Sequence, residues 1–356
     1  MLERATSLRR RTVLGALVAI AFLVATTALT VAYFTDLKTL VRVLSGGSWP
    51  WIAAAVAVHL VYFFGYAILY RLGFAVVGIS LPARSIVPVL FAGLFINLMV
   101  PTGAGAAALF VNDAVRRGHS GAHATVGVVL VLLLDLLTVV PFVIWGIAFL
   151  LHARMFESWQ LLAAGAYVLY LVLLVAMIAL SRIKQSAVRR ALGWLSRMLH
   201  RVLGWFHRRG PADDWPERTA AGLADAAGAI VANPSRLALA ALSGLAIHAL
   251  HALGLWLFVV AFGAQVPVGG LVAAFSLGIV LQVIAVVPQL APLSQAFMTA
   301  TFVDVGVEAG PAVAATFAFR GILLAVPVVI GLPFAWRIGR VRVDARRRSR
   351  EQDPRA

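Results

Sequence analysis

Cysteine is absent from the 356-residue sequence, lysine is confined to Lys38 and Lys184, and only 12% of residues carry charge. Without cysteine there is no disulfide, thiolate metal site or cysteine nucleophile. So low a charged fraction, beside 62% hydrophobic residues and a mean hydropathy of +0.95, excludes an ordinary water-soluble enzyme, in which about a quarter of residues are charged. Acidic residues are the scarcer charge, 14 against 30 basic, which gives a net charge of +16 and a pI near 11.5. On a chain this apolar the excess points to loops beside anionic lipid. No nucleic-acid motif accompanies it, so no nucleic-acid partner is expected. Arginine in place of lysine, with abundant alanine and glycine, points to a GC-rich bacterial genome.

What the chain does have is long apolar runs. Arg9-Arg10-Arg11 precedes one from Val13 to about Tyr33, too long for a signal-peptide core and without a small-residue cleavage site after it. It is expected to be a retained first transmembrane helix, so that residues 1–35 hold a cytoplasmic N-terminus and one span. Further full spans are expected near 49–70, 122–152, 158–181, 235–262 and 311–338. Crossing the ~30 Å hydrocarbon core takes about 20 helical residues. Residues 85–100 and 102–115 are too short to cross separately and are broken at Pro101-Thr-Gly-Ala-Gly105. Residues 267–287 run into Pro288-Gln-Leu-Ala-Pro292, and only a short apolar stretch follows before Asp304. Both broken segments, 85–115 and 268–304, are therefore read as re-entrant helical hairpins. With the N-terminus inside, cytoplasmic segments then hold 25 of the 30 basic residues, as positive-inside bias requires. The expected fold is an all-α polytopic membrane protein with about six full transmembrane helices plus two hairpins and both termini cytoplasmic.

Span, hairpin and span occur twice, over 49–152 (repeat 1) and 235–338 (repeat 2), separated by a connecting span at 158–181. The hairpins enter from opposite sides, which predicts an inverted repeat. His59 and His248 serve as landmarks, with Gly65 and Gly254 six residues after each. Oppositely inserted repeats with broken helices give two states of similar energy, and binding falls near the midplane at the breaks. Asp135, in Leu-Leu-Leu-Asp-Leu-Leu, and Arg320, in Phe-Ala-Phe-Arg-Gly-Ile, are the clearest charges at membrane depth, each costing about 2.5–3.5 kcal/mol if left facing lipid. Their opposite signs at matching repeat positions suggest a mutual pair, or a pair bridged by a headgroup or water; a purely structural lock is the competing reading. Substrate contacts are expected from these two residues, from Asn97, Pro101, Thr102, Gly103 and Gly105 at the first break, and from Pro288, Gln289 and Gln295 at the second. Amides exposed where a half-helix begins attract anions. Ordinary turn chemistry would place the same residue types there. His59, His248 and His251 are read as cavity lining or packed neutral histidines. A metal site is not expected, because no cysteine or carboxylate cluster accompanies them, and no cofactor is implied.

Residues 182–234 form a basic loop. Val188, Leu192, Leu195, Leu199, Val202 and Phe206 recur at helical spacing among arginines, which predicts an amphipathic helix in the cytoplasmic headgroup layer with Trp194 and Trp205 as anchors. A small-residue helix, 217–232, leads back to Asn233-Pro234, and the basic tail, 339–356, is expected to meet anionic lipid.

The segment Ile96-Asn-Leu-Met-Val-Pro-Thr-Gly-Ala-Gly105, the connector Arg116-Arg117-Gly118 and the helix carrying Asp135 resemble the lysylphosphatidylglycerol synthetase transmembrane-domain family of bacterial flippase-like proteins. Val287-Pro288, Gly306-Val307-Glu308 and Phe319-Arg320 are similar to its second half. The resemblance implies a lipid or lipid-linked substrate (polyprenyl-phosphate, aminoacyl-lipid or glycolipid) moved between leaflets of the bacterial inner membrane. It does not imply lipid aminoacylation, which belongs to an attached soluble domain in some members, so no enzymatic activity is expected. Departures are specific: Ala106–Ala108 stand where members often carry an acid and an arginine, and Leu136 follows Asp135. The alternative function is a non-transporting membrane partner of a cell-envelope glycosyl- or lipid-transfer enzyme.

Overall fold

The computed structural model describes residues 40–99, 104–205, 214–284 and 291–337, and every regular element among them is helical. In order these are α1 (Trp49–Val76), α2 (Ala83–Met99), α3 (Ala104–Arg116), α4 (Gly121–His152), α5 (Ser158–Ile183), α6 (Gln185–Trp205), α7 (Trp215–Ala232), α8 (Pro234–Ala261), α9 (Val268–Ile284), α10 (Ala291–Asp304) and α11 (Ala309–Val326). The last continues through a π-helical turn, Pro327–Gly331, to Arg337. Lipid offers backbone groups no partner, so an apolar chain satisfies them within helices. Five helices, α1, α4, α5, α8 and α11, are long and apolar enough to cross a membrane. The first predicted span and the C-terminal tail lie outside the described residues. The hairpin arms have 17 and 13 residues (α2, α3) and 17 and 14 (α9, α10), reaching only about 20–25 Å each.

The two halves are antiparallel. Ser48 donates its N–H to the Ala261 carbonyl at one end of the α1–α8 pair (2.8 Å). At the other end Asn233 Nδ2 donates to Val76 O (3.0 Å) and Arg236 to Ala75 O (2.8 Å). These contacts exchange under a shift of 185 residues, which takes 48 to 233 and 76 to 261. The same shift takes α1 onto α8 and α2 onto α9, end for end. It also takes Gly78 to Gly263, whose φ values of +78° and +77° end the opening helix of each repeat in the left-handed region. Asp135 and Arg320 obey this shift. The histidine landmarks do not, since His59 and His248 are 189 apart and the counterpart of His59 is Gly244. A four-residue slip is about one helical turn and keeps the same face forward, so the apolar pattern alone tolerates it.

Each hairpin packs on the other repeat's closing helix. Gly146 of α4 admits the backbone of α9, where an added Cβ would lie 2.7 Å from Ala273 Cα. Gly331 admits the backbone of α2, where a Cβ would lie 2.3 Å from Phe91 O. Gly146 and Gly331 are again 185 apart. This crossing of hairpins binds the repeats into one core around α1 and α8. α5 lies at the edge, with Leu162, Leu169 and Leu173 exposed, an apolar surface suited to lipid rather than water.

The amphipathic helix of the 182–234 loop is α6, and part of its apolar face is covered by protein. Val188 and Leu192 are buried with Ala220, Leu223 and Ala227 of α7 against Leu133 and Ile178. Trp194 is exposed, whereas Trp205, like Leu195, Leu199, Val202 and Phe206, has no described side chain.

Candidate functional site

The site grows from one carboxylate. Asp135 lies in α4 six residues before Pro141, whose missing N–H leaves the Leu137 carbonyl without its helical donor. Upstream, three successive carbonyls receive donors from outside the helical ladder. Thr138 Oγ1 donates to Leu134 O (2.8 Å), His248 Nε2 to Asp135 O (3.0 Å) and the Tyr167 hydroxyl to Leu136 O (2.7 Å). The Asp135 carboxylate accepts from the Tyr66 hydroxyl at 2.6 Å, and His248 Nε2 stands 3.4 Å from the same oxygen. Tyr66 comes from α1, Asp135 from α4 and His248 from α8, so both repeats supply this cluster.

A carbonyl can only accept, so His248 holds its proton on Nε2, and His59, bonded through Nδ1 to Ala55 O at 2.8 Å, holds its own on Nδ1. The remaining nitrogens, His248 Nδ1 and His59 Nε2, and also His251 Nε2, are buried with no hydrogen-bond partner among the described residues. Each such group costs about 1–3 kcal/mol. From Tyr66 a chain of rings runs inward. Tyr62 meets Tyr66 edge-on at 5.2 Å and stacks on His251 at 4.2 Å. His251 stacks on Phe319 at 4.7 Å, beside Arg320. His59 touches His251 at 5.7 Å and Phe319 at 5.4 Å. The described residues contain no group of three or more His, Asp or Glu arranged to hold a metal ion.

Arg320 takes a different partner from Asp135. It donates to Gln295 Oε1 (3.3 Å), and Gln295 Nε2 donates to Thr316 O (3.2 Å), tying the second hairpin to α11. Thr316 and Thr299 share a hydroxyl contact at 2.8 Å in the same place. Seven residues after Arg320 comes Pro327 and the π turn, which echoes the proline six residues after Asp135. Asn97, two residues before the end of α2, accepts the Ala106 N–H at 3.1 Å, spanning the break of the first hairpin. Gly105 lies in the first turn of α3. Pro101, Thr102, Gly103, Pro288 and Gln289 lie outside the described residues. The predicted residues thus fall into three groups: Asp135 with His248, His59 with His251, and Arg320 with Gln295, with Asn97 at the hairpin break. Tyr62, Tyr66, Thr138 and Thr316 were not anticipated. The spacing of His59, Tyr62 and Tyr66 (i, i+3, i+7) marks one helical face and was the available signal.

Asn97→Ala removes the acceptor that joins the two arms. It is expected to cost about 1 kcal/mol and to speed amide exchange at Ala106 with little change elsewhere, as read by hydrogen–deuterium exchange.

An all-helical polytopic membrane protein, with paired hairpins in antiparallel repeats and a part-buried polar cluster shared between them, is the class these observations define. Within it, residues 13–331 match the family described as "Lysylphosphatidylglycerol synthase TM region", and the chain belongs to that family. The match places the chain among multi-pass membrane proteins linked to lipid modification. No curated protein matches the sequence significantly.

Proposed function

We propose that the chain is a flippase-like transporter, not an enzyme, that moves a lipid or lipid-linked substrate between leaflets of the bacterial inner membrane. Both termini face the cytoplasm in this reading, as the 25 basic residues on that side favour. The observation that carries it is the Asp135–Tyr66–His248 cluster, assembled from two oppositely inserted repeats. A carboxylate and three imidazoles at membrane depth are costly unless they serve a polar passenger or proton. The antiparallel halves supply two alternative arrangements of similar energy, one open to each side. The acyl chains would stay in the bilayer while the headgroup passes the cluster.

Reconstitution tests this directly. Vesicles containing the purified chain and a panel of fluorescent phospholipids and prenyl phosphates are expected to expose inner-leaflet label to dithionite faster than empty vesicles for at least one class. Equal rates across the whole panel would overturn transport and favour the membrane-partner alternative.

A further inference from the structure

The open end of the first hairpin brings the start of α2 beside the end of α3, and a recess of about 320 Å³ lies between them. Arg84 enters it from α2, and Arg116 and Arg117 from the end of α3 and just beyond. One carboxylate, Asp113, faces these three guanidiniums, so the lining carries a net positive charge of two. Arg117 grips Asp113 through Nε (2.9 Å) and a terminal nitrogen (3.3 Å), which fixes the plane of its fork and leaves further N–H donors for a ligand. The recess is also lined by Val89 and Leu109, both buried. Arginine forks match phosphate oxygens, and the apolar lining matches the glycerol and first methylenes of a lipid.

The second hairpin provides an internal comparison. The 185-residue shift takes Arg84 to Gly269, and α10 ends in Asp304 where α3 ends in Arg116. Two hairpin ends equivalent in fold thus carry opposite charge. The arginines are not required by the architecture. On the proposed orientation the basic end faces the leaflet that holds most anionic lipid.

We propose that this recess binds the phosphate of an anionic phospholipid headgroup and loads it from the cytoplasmic leaflet. This names the substrate class of the transport reading and rests on it for direction only. Lysylation, whose two ammonium groups outweigh the one phosphate charge and turn the headgroup net positive, is then unfavourable at this end.

Binding is tested on the full-length chain in detergent by native mass spectrometry with phosphatidylglycerol, phosphatidylcholine and lysylphosphatidylglycerol. Arg84→Gln combined with Arg116→Gln is expected to weaken phosphatidylglycerol binding about 30-fold and leave phosphatidylcholine unchanged. Asp113→Asn, which keeps every arginine, is expected to tighten it about threefold and guards against misfolding of the double variant. Lysylphosphatidylglycerol is expected to bind more weakly than phosphatidylglycerol. Unchanged binding in both variants overturns the proposal, as does displacement of the lipid by millimolar inorganic phosphate, which would mark a soluble-anion site. Charge-dependent binding without leaflet exchange in vesicles would leave the recess in place and remove the transport reading. Exchange at the wild-type rate in the double variant, with binding unchanged, would do the reverse.

Discussion

Gly254→Ala is expected to destabilise the protein by about 2–3 kcal/mol, and removal of the His59 imidazole in the same chain is expected to recover much of that loss. The added methyl would sit 2.2 Å from His59 Cε1 and 2.6 Å from Nδ1. The ring cannot swing away cheaply. Its Nδ1 is bonded to Ala55 O, and Tyr62, His251, Phe258 and Phe319 surround it, leaving it fully buried. Either α1 and α8 must separate or the histidine must lose its bond. His59→Ala alone opens a cavity and destabilises on its own account. In the double variant the new methyl enters that cavity, so the two losses fall short of additive by about 1–2 kcal/mol. Thermal unfolding of the four proteins in one detergent measures the cycle. Additive losses would mean that the helices do not meet at this point.

The second large effect concerns Asp135. Asp135→Leu is expected to reduce lipid exchange in vesicles at least tenfold while leaving thermal stability within about 1 kcal/mol of wild type, or above it. A carboxyl group drawn largely out of water is costly, and an apolar residue of similar size removes that cost. Against this stands the Tyr66 hydroxyl, which would lose its acceptor at 2.6 Å, and the lost carboxylate contact of His248. His248 keeps its bond to the Asp135 backbone carbonyl whatever the side chain. Asp135→Asn retains an acceptor for Tyr66 and is expected to be intermediate in exchange, as is Tyr66→Phe. A structural lock predicts otherwise: stability and exchange would then fall together, in proportion, across the three variants.

Much of the architecture was legible because lipid makes length decisive. A run of about 20 apolar residues is long enough to cross and one of 17 is not, so five long helices and two broken pairs of shorter ones could be read from run length together with the bias of basic residues. Asp135 and Arg320 stood out because a charge in an apolar run is conspicuous wherever it points. Their partners did not. Tyr66 sits among Phe63, Phe64 and Tyr70, where a tyrosine reads as another ring, and its acceptor lies 69 positions away on another helix. Gln295, noted only for its place at a break, proved to be a partner of Arg320. The repeat was visible, but its register was ambiguous: Asp135 and Arg320 lie 185 apart and His59 and His248 lie 189 apart, a one-turn slip that preserves every apolar face. The hydrogen bonds of Ser48 with Ala261 and Asn233 with Val76, together with the matching helix ends, distinguish 185 from 189. The covered face of α6 was hidden for a similar reason: Val188 and Leu192 suit lipid and the small residues of α7 equally well.

The exchange of hairpins between repeats has a consequence for biogenesis. Phe91, whose carbonyl receives Gly331, is synthesised 240 residues before it. At roughly 5–20 residues per second the ribosome takes on the order of 10–50 s to deliver that partner. During this interval the first hairpin is in the membrane with one flank unclosed, and the groove at Gly146 also waits for Ala273. The newborn first half therefore has to remain open and unmated, and the fold closes only when α11 and its π turn arrive.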